Sequence, residues 1–93
     1  MSTFTTTSQS LSANGAGAAV PIGNSPLKSL QIFGTFSATW TLEISNNNQN
    51  WFPTSIAGTG AALENIDHDA GWARVVLSNY VSGAVGAAFC QLS

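Results

Sequence analysis

The clearest pattern in the chain is a strict alternation of apolar and polar side chains over residues 36–45, FSATWTLEIS. Successive side chains of a β-strand point to opposite faces of the sheet. The segment is therefore predicted to form a strand with one face in a core and the other in water. Together with two later residues, its apolar side chains give the candidate structural core: Phe36, Trp40, Leu42, Ile44, Trp51 and Val76.

The run NNNQN at residues 46–50 follows this strand directly. Asparagine tolerates left-handed backbone angles, and its side chain bonds to its own main chain, so the run predicts a chain reversal. Trp51 and Phe52 then begin a return strand. Aromatic side chains at this end of a hairpin add apolar area to the core of a small domain.

Glycine and proline interrupt the remaining sequence so often that no stretch keeps a helical period. Short segments between these interruptions have the composition of strands, and regular spacing of such segments is typical of a sandwich or barrel. The predicted fold is a small all-β protein, a jelly-roll-like antiparallel β-sandwich of about seven or eight short strands. Its predicted strands cover residues 3–11, 18–22, 27–33, 36–45, 51–54, 62–66, 72–78 and 84–92.

A chain of 93 residues is predicted to form one domain with a small core. Residues 1–26 are rich in serine, threonine and glycine and contain few large apolar side chains. We expect this segment to be an edge strand or an arm that becomes ordered on a neighbour. The β-sandwich core is predicted to span residues 27–93.

Charged residues make up only 6% of the chain, against roughly 25% in typical soluble proteins. A surface so poor in charge suits a protein that packs against other copies or against a larger body. Two cations cannot release enough counterions for useful affinity to a nucleic acid backbone. The chain shows neither an apolar run long enough to cross a membrane nor the pattern of a secretory signal, so we expect no nucleic-acid or membrane partner.

Few residues offer reactive chemistry. His68 lies between Asp67 and Asp69, but neighbouring side chains in a turn diverge and the chain contains no second histidine, so we expect no catalytic site and no enzyme activity. Oxygen ligands for a divalent cation are present near residues 64–69. A solvated acidic turn is the preferred interpretation of these residues. We therefore expect no metal and no cofactor. Cys90 is the only cysteine, and we expect a buried structural thiol.

Arg74 alternates with Trp72 and Val76 along one predicted strand. A partly buried arginine needs a carboxylate partner, and Glu43 or Glu64 could supply one. Arg74 and Glu43 are the candidate ion pair. A competing hypothesis is that Trp51, Trp72 and Tyr80 form a platform of aromatic rings that stacks against sugars.

Two segments, SLQIFGTFSATWTLEISNNNQNWFPT and ALENIDHDAGWARVVLSNYVSGAVGAAFCQ, resemble a pattern common in short bacteriophage virion proteins. In that pattern a G-x-F-x-a-T-x-T-L-x-x-S strand leads into a turn rich in asparagine or glycine and then N-W. A late W/Y-x-R-x-x-L/V-S strand and a closing Gly-Ala-Val strand follow. The resemblance covers residues 27–92. This chain differs from the pattern in its turn, which reads NNNQN where the virion proteins often have aspartate and glycine.

The resemblance implies a capsid cement (decoration) protein or a tail-associated structural protein. It would be made in the host cytoplasm and located on the virion, at the capsid surface or the tail. The implied partners are the major capsid protein or another virion protein and further copies of the chain in a homotrimer. The alternative is a small carbohydrate-binding β-sandwich of a phage tail or adhesin.

Self-association is also expected from the residues. Surface strands usually carry charges, lysine above all, that prevent pairing with other chains, and this chain has only two cations. Residues 36–45 carry a single charge on their polar face. The candidate interface residues are Phe4, Thr5, Thr7, Thr39 and Thr41.

Overall fold

Nine β-strands form the chain in the computed structural model, which describes residues 4–23, 25 and 27–92. The predicted strands 27–33 and 36–45 are present with the predicted bounds, and the return strand and the late strand run further than predicted. Residue 3, the predicted start of the first strand, lies outside the described residues. The strands are β1 Phe4–Leu11, β2 Gly15–Ala16, β3 Val20–Pro21, β4 Leu27–Phe33, β5 Phe36–Ser45, β6 Phe52–Gly58, β7 Ala62–Asn65, β8 Trp72–Gly83 and β9 Val85–Leu92.

The strands form two antiparallel sheets. Sheet A has the order β1-β9-β4-β7, and sheet B has the order β2-β8-β5-β6 with β3 also paired to β8. If β2 and β3 are counted as one interrupted strand, successive strands alternate between the two sheets except at the β5–β6 hairpin, which lies within sheet B, as in an eight-stranded jelly roll. The predicted fold class is therefore confirmed. The second strand of the jelly roll is interrupted between β2 and β3.

The core lies between the two sheets and is contributed by alternate residues of their central strands. Leu30, Ile32 and Phe89 of sheet A are each at most 1% exposed, and they meet the buried face of sheet B. Val20 and Ile22 belong to the same buried cluster. Within the described residues 4–23, β1 is an edge strand of sheet A, and Val20 and Ile22 contribute to the core.

Trp40 is the largest side chain in the core and is 1% exposed. Its indole Nε1 donates a hydrogen bond to the carbonyl oxygen of Gly60 at 2.9 Å. Gly58 lies beside the ring, where a Cβ atom would come within 3.1 Å of Trp40. The ring is buried with its polar atom satisfied, as a buried tryptophan requires.

Of the five other predicted core residues, one is fully buried, and the remaining four are half-buried at the margin of the core or outside it. Leu42 is buried as predicted, whereas Phe36 packs at the margin of the core and Ile44 is half-buried. The prediction was wrong for Val76, because β8 directs Ala73, Val75 and Leu77 inward and thus turns Val76 outward. It was also wrong for Trp51, which is half-buried beside the outer face of sheet B.

The turn at residues 46–50 is built by side-chain hydrogen bonds to the backbone. The Oδ1 atom of Asn47 accepts from the backbone nitrogens of Gln49 and Asn50 at 3.0 and 2.9 Å. Ser45 is buried, and its Oγ accepts from the backbone nitrogens of Asn47 and Asn48. Asn48 has a φ of 59°, in the left-handed region. The predicted reversal is confirmed, together with its mechanism.

Candidate interaction surfaces

The predicted ion pair between Arg74 and Glu43 is present on the outer face of sheet B. The two residues are directly opposite in the β5–β8 register. Both Nε and Nη2 of Arg74 lie 2.8 Å from Oε1 of Glu43. The Arg74 Cζ atom lies 4.3 Å from the ring centroid of Trp51. The guanidinium is thus held by two contacts to a carboxylate oxygen and by an aromatic ring over its face.

This arrangement explains why Trp51 is not a core residue. An arginine whose side chain is 27% exposed gains from a ring that shields it from water, since cation–π attraction strengthens with desolvation. Glu64, the other candidate partner, is exposed on β7 of the opposite sheet. The charge of Arg74 is thus paired with Glu43, and one face of its guanidinium is covered by the Trp51 ring.

Thr39 and Thr41 are half-buried on the same outer face of sheet B. They belong to β5, which lies between β8 and β6. The backbone of β5 is therefore paired on both sides, and the strand is not open to pairing with another chain. Phe4, Thr5 and Thr7 lie instead on β1, at the edge of sheet A. The candidate interface residues thus fall on two different sheets and do not form one surface.

The acidic turn near residues 64–69 does not assemble a cluster of metal ligands. Among the residues that the structure describes, no group of three or more His, Cys, Asp or Glu side chains could hold a metal ion. Asp67 and Asp69 are exposed and His68 is half-buried. The nearest cation to this turn is Lys28, whose Nζ lies 4.0 Å from Oδ1 of Asp69.

Cys90 is half-buried rather than buried, which corrects the expectation of a core thiol. Its neighbours Phe89 and Gln91 alternate with it on β9, and Phe89 takes the inward position. Cys90 therefore faces outward from sheet A. It lines a depression of about 420 Å³ together with Phe4, Leu27 and Ser29, and the charged residues Lys28 and Asp67 border the same depression.

The outward residues of β1, β9, β4 and β7 form one continuous surface, which we call the sheet A outer face. The strand registers place Ser8, Ala88, Gln31 and Leu63 in one row across it. None of the described side chains on this face is charged. The face comprises Phe4, Thr6, Ser8, Ser10, Gly86, Ala88, Cys90, Leu27, Ser29, Gln31, Phe33, Leu63 and Asn65.

Several of these residues are large apolar side chains in solvent. Phe4 is 64% exposed, Leu27 58% and Leu63 71%. Phe4 is the one residue among these three that was expected from the sequence to lie at an interface. In LKSLQIF, apolar residues occur at both parities, so the sequence pattern leaves open whether Leu27 and Phe33 or Leu30 and Ile32 point inward.

A groove of about 490 Å³ lies at the other end of the sheet A outer face. Its lining includes Ser8 and Ser10 of β1, Phe33 of β4, and Gly86 of β9. The ring of Phe33 lies over Gly86 so closely that a Cβ atom at Gly86 would overlap it. Gly86 thus allows Phe33 to lean across the neighbouring strand toward β1.

The chain matches no family model, no curated protein and no solved structure in the comparisons made. No helix that is long and apolar enough to cross a membrane occurs among residues 4–23, 25 and 27–92.

Proposed function

We propose that the chain is a non-enzymatic structural protein of a bacteriophage virion, a capsid cement (decoration) protein that bridges major capsid subunits. The observation that carries the proposal is the sheet A outer face, which combines exposed apolar side chains with hydroxyl and amide groups and holds no charged side chain among its described residues. Large apolar side chains gathered in solvent on one face mark sites that other proteins cover, and charge is depleted at the centre of protein interfaces. The resemblance of residues 27–92 to virion proteins supplies the identity of the partner.

Assembly of several copies is part of this proposal. A cement protein gains affinity when several weakly binding copies are linked, because each further contact then forms at a high effective concentration. The resemblance implies a homotrimer, which suits the three-fold positions of an icosahedral shell. The number of copies in solution is measurable by sedimentation equilibrium.

Binding to the shell is tested with capsids of the phage that encodes this chain, purified from a deletion mutant. We expect the purified chain to co-sediment with these capsids and to raise their melting temperature. Leu63→Lys places a charge in the sheet A outer face and is expected to abolish binding. Val81→Lys is the matched control, since Val81 is 73% exposed on β8, outside that face. Equal binding by both variants would show that another surface contacts the shell.

A second candidate function is binding of carbohydrate by sheet B. Trp51 follows the amide-rich turn at residues 46–50, and the carboxylate of Glu43 lies in the same cluster. Aromatic ring, amide and carboxylate are the groups that a sugar site uses, although Arg74 already covers one face of the ring. A screen of host-surface polysaccharides by NMR decides between the two: shifts at the Trp51 indole without capsid binding would favour the carbohydrate-binding function.

A further inference from the structure

Three of the four sheet edges in the described part of the chain are protected against pairing with another strand. In sheet A, β7 is only four residues long and carries Glu64. In sheet B, β6 contains Pro53 and a register shift against β5, while the opposite edge is broken into β2 and β3, two residues each. Short strands, prolines and irregular pairing are the devices by which natural proteins close their edges.

β1 lacks these devices. It pairs with β9 over all eight residues, Phe4–Leu11, without a register shift. Its sequence, FTTTSQSL, contains no charge and no proline, and six of the eight side chains are exposed. The backbone groups on its free side form a regular, unguarded edge. An edge of this kind is a template for an additional strand.

The groove beside β1 suggests which strand is added. Ser10 pairs with Gly86, and Gly86 pairs in turn with Phe33. The 490 Å³ groove, lined by Ser8, Ser10 and Phe33, therefore reaches the edge strand β1. An apolar side chain placed beside Ser10 on the same face would lie against the Phe33 ring. Phe4 of a second copy could supply this apolar side chain, since Phe4 lies on β1 and is 64% exposed.

We propose that β1 pairs antiparallel with β1 of a second copy around a two-fold axis at Thr7. A two-fold axis perpendicular to the sheet places residues of the same parity opposite each other, so that the outer face of one copy continues into that of the other. With the axis at Thr7, Phe4 lies opposite Ser10 of the second copy and covers its groove. Two four-stranded A sheets then join into one eight-stranded sheet.

This contact is two-fold, unlike the homotrimer that the resemblance implies. A three-fold ring made by strand pairing would need β1 to join a different edge, and the other described edges are protected. The proposed contact pairs residues 4–10 of each copy, far fewer than the roughly 20–30 residues a side of a standard complex, so the dimer is expected to be reversible. The proposal does not depend on the virion function.

Sedimentation equilibrium of the wild-type chain over micromolar to millimolar concentrations tests the stoichiometry. We expect a monomer–dimer equilibrium; a monomer at every concentration, or a trimer, would overturn the proposal. Thr7→Lys puts two like charges opposite each other at the axis and is expected to abolish the dimer. The matched control, Thr59→Lys, lies on an exposed loop and should dimerise like wild type. Loss of the dimer in both variants would also overturn the proposal.

Phe4→Ala tests whether Phe4 of one copy occupies the groove of the other. Removal of an apolar ring from a partly covered site should weaken dimerisation by about tenfold or more. Phe52→Ala is the control, because Phe52 is 70% exposed on sheet B. Equal dissociation constants for the two variants would show that Phe4 does not occupy the groove.

Cross-linking tests the register in a Cys90→Ala background, which lacks the native thiol. Thr7→Cys places two cysteines directly opposite, with Cα atoms about 4.5–5.5 Å apart, a separation that a disulfide spans. Ser8→Cys would place them about 8 Å apart, which is too far. We expect an oxidised dimer for Thr7→Cys and none for Ser8→Cys. Cross-linking of Ser8→Cys in preference to Thr7→Cys would reject the proposed axis.

Discussion

The guanidinium carbon of Arg74 lies 4.3 Å from the centroid of the Trp51 ring, while the same guanidinium contacts the carboxylate of Glu43. These three residues come from β8, β5 and the start of the return toward β6. The cluster therefore ties three neighbouring segments of sheet B together on the side away from the core. Its contribution is to stability and to the position of Trp51.

Arg74→Lys is expected to lower the free energy of unfolding by roughly 1 kcal/mol. Lysine keeps the charge but loses the planar group that stacks on Trp51 and presents two nitrogens to Glu43. The urea midpoint measures the change. Asp67→Asn is the control, because Asp67 is exposed and forms no ion pair in the described structure, and its midpoint should match wild type. A wild-type midpoint for Arg74→Lys would contradict the structural importance of the cluster.

Trp40→Ala is expected to cost about 3–5 kcal/mol, because it leaves a cavity between the sheets. That loss is large relative to the stability of a small domain, so we expect a chain that is largely unfolded by circular dichroism. Trp40→Phe separates the two contributions of the residue: it keeps an aromatic ring but removes the hydrogen bond to Gly60, at a cost of about 1 kcal/mol or more. Phe52→Ala, at a 70% exposed aromatic, should stay folded. A folded Trp40→Ala with an unchanged midpoint would show that the faces of β5 are reversed.

Asn47→Ala is expected to destabilise the fold by about 1–2 kcal/mol, since two backbone nitrogens lose their acceptor. Asn46→Ala, one residue earlier, removes an exposed amide for which the described structure shows no side-chain hydrogen bond. Thermal unfolding of the two variants compares an amide that builds the turn with one that does not. Equal melting temperatures would contradict this account of the turn.

Gly34→Ala is expected to destabilise the chain by about 1–3 kcal/mol. Gly34 has a φ of 107°, and a Cβ atom there would come within 2.6 Å of the carbonyl oxygen of Ala84. Gly60→Ala serves as the control, because nothing lies within 4 Å of a Cβ atom at that position. Denaturation in urea should separate the two variants clearly, and a tolerated alanine at Gly34 would show that the β4–β5 connection adopts another conformation.

Chelation is expected to leave the stability unchanged. The carboxylates near residues 64–69 do not converge in the described structure, and Asp67 and Asp69 are exposed. Melting curves with and without EDTA should therefore superimpose. A fall of many degrees with EDTA, reversed by calcium or magnesium, would reveal a site formed by this turn.

Local patterns in the sequence were sufficient for the strands β4 and β5 and for the turn after β5. Alternation has a period of two residues in any strand, so FSATWTLEIS assigns Trp40 and Leu42 to the core without knowledge of the neighbours. The amides of residues 46–50 act on their own backbone and are equally local. The jelly-roll class followed from the number and spacing of such segments.

Tertiary structure alone decided which face of the uniformly apolar part of β8 is buried and which strands lie at the edges. Val75, Val76 and Leu77 are all apolar, so the pattern could not show that Val76 points outward; pairing with β5 decides it. Trp51 lies outside the core because Arg74, 23 positions later in the chain, is brought beneath its ring. Which strand is open to another chain depends on the order of strands in each sheet. β5 is enclosed between two strands and β1 is at an edge. Strand order is set by contacts between residues distant in sequence, and the alternation of side chains along the chain does not encode it.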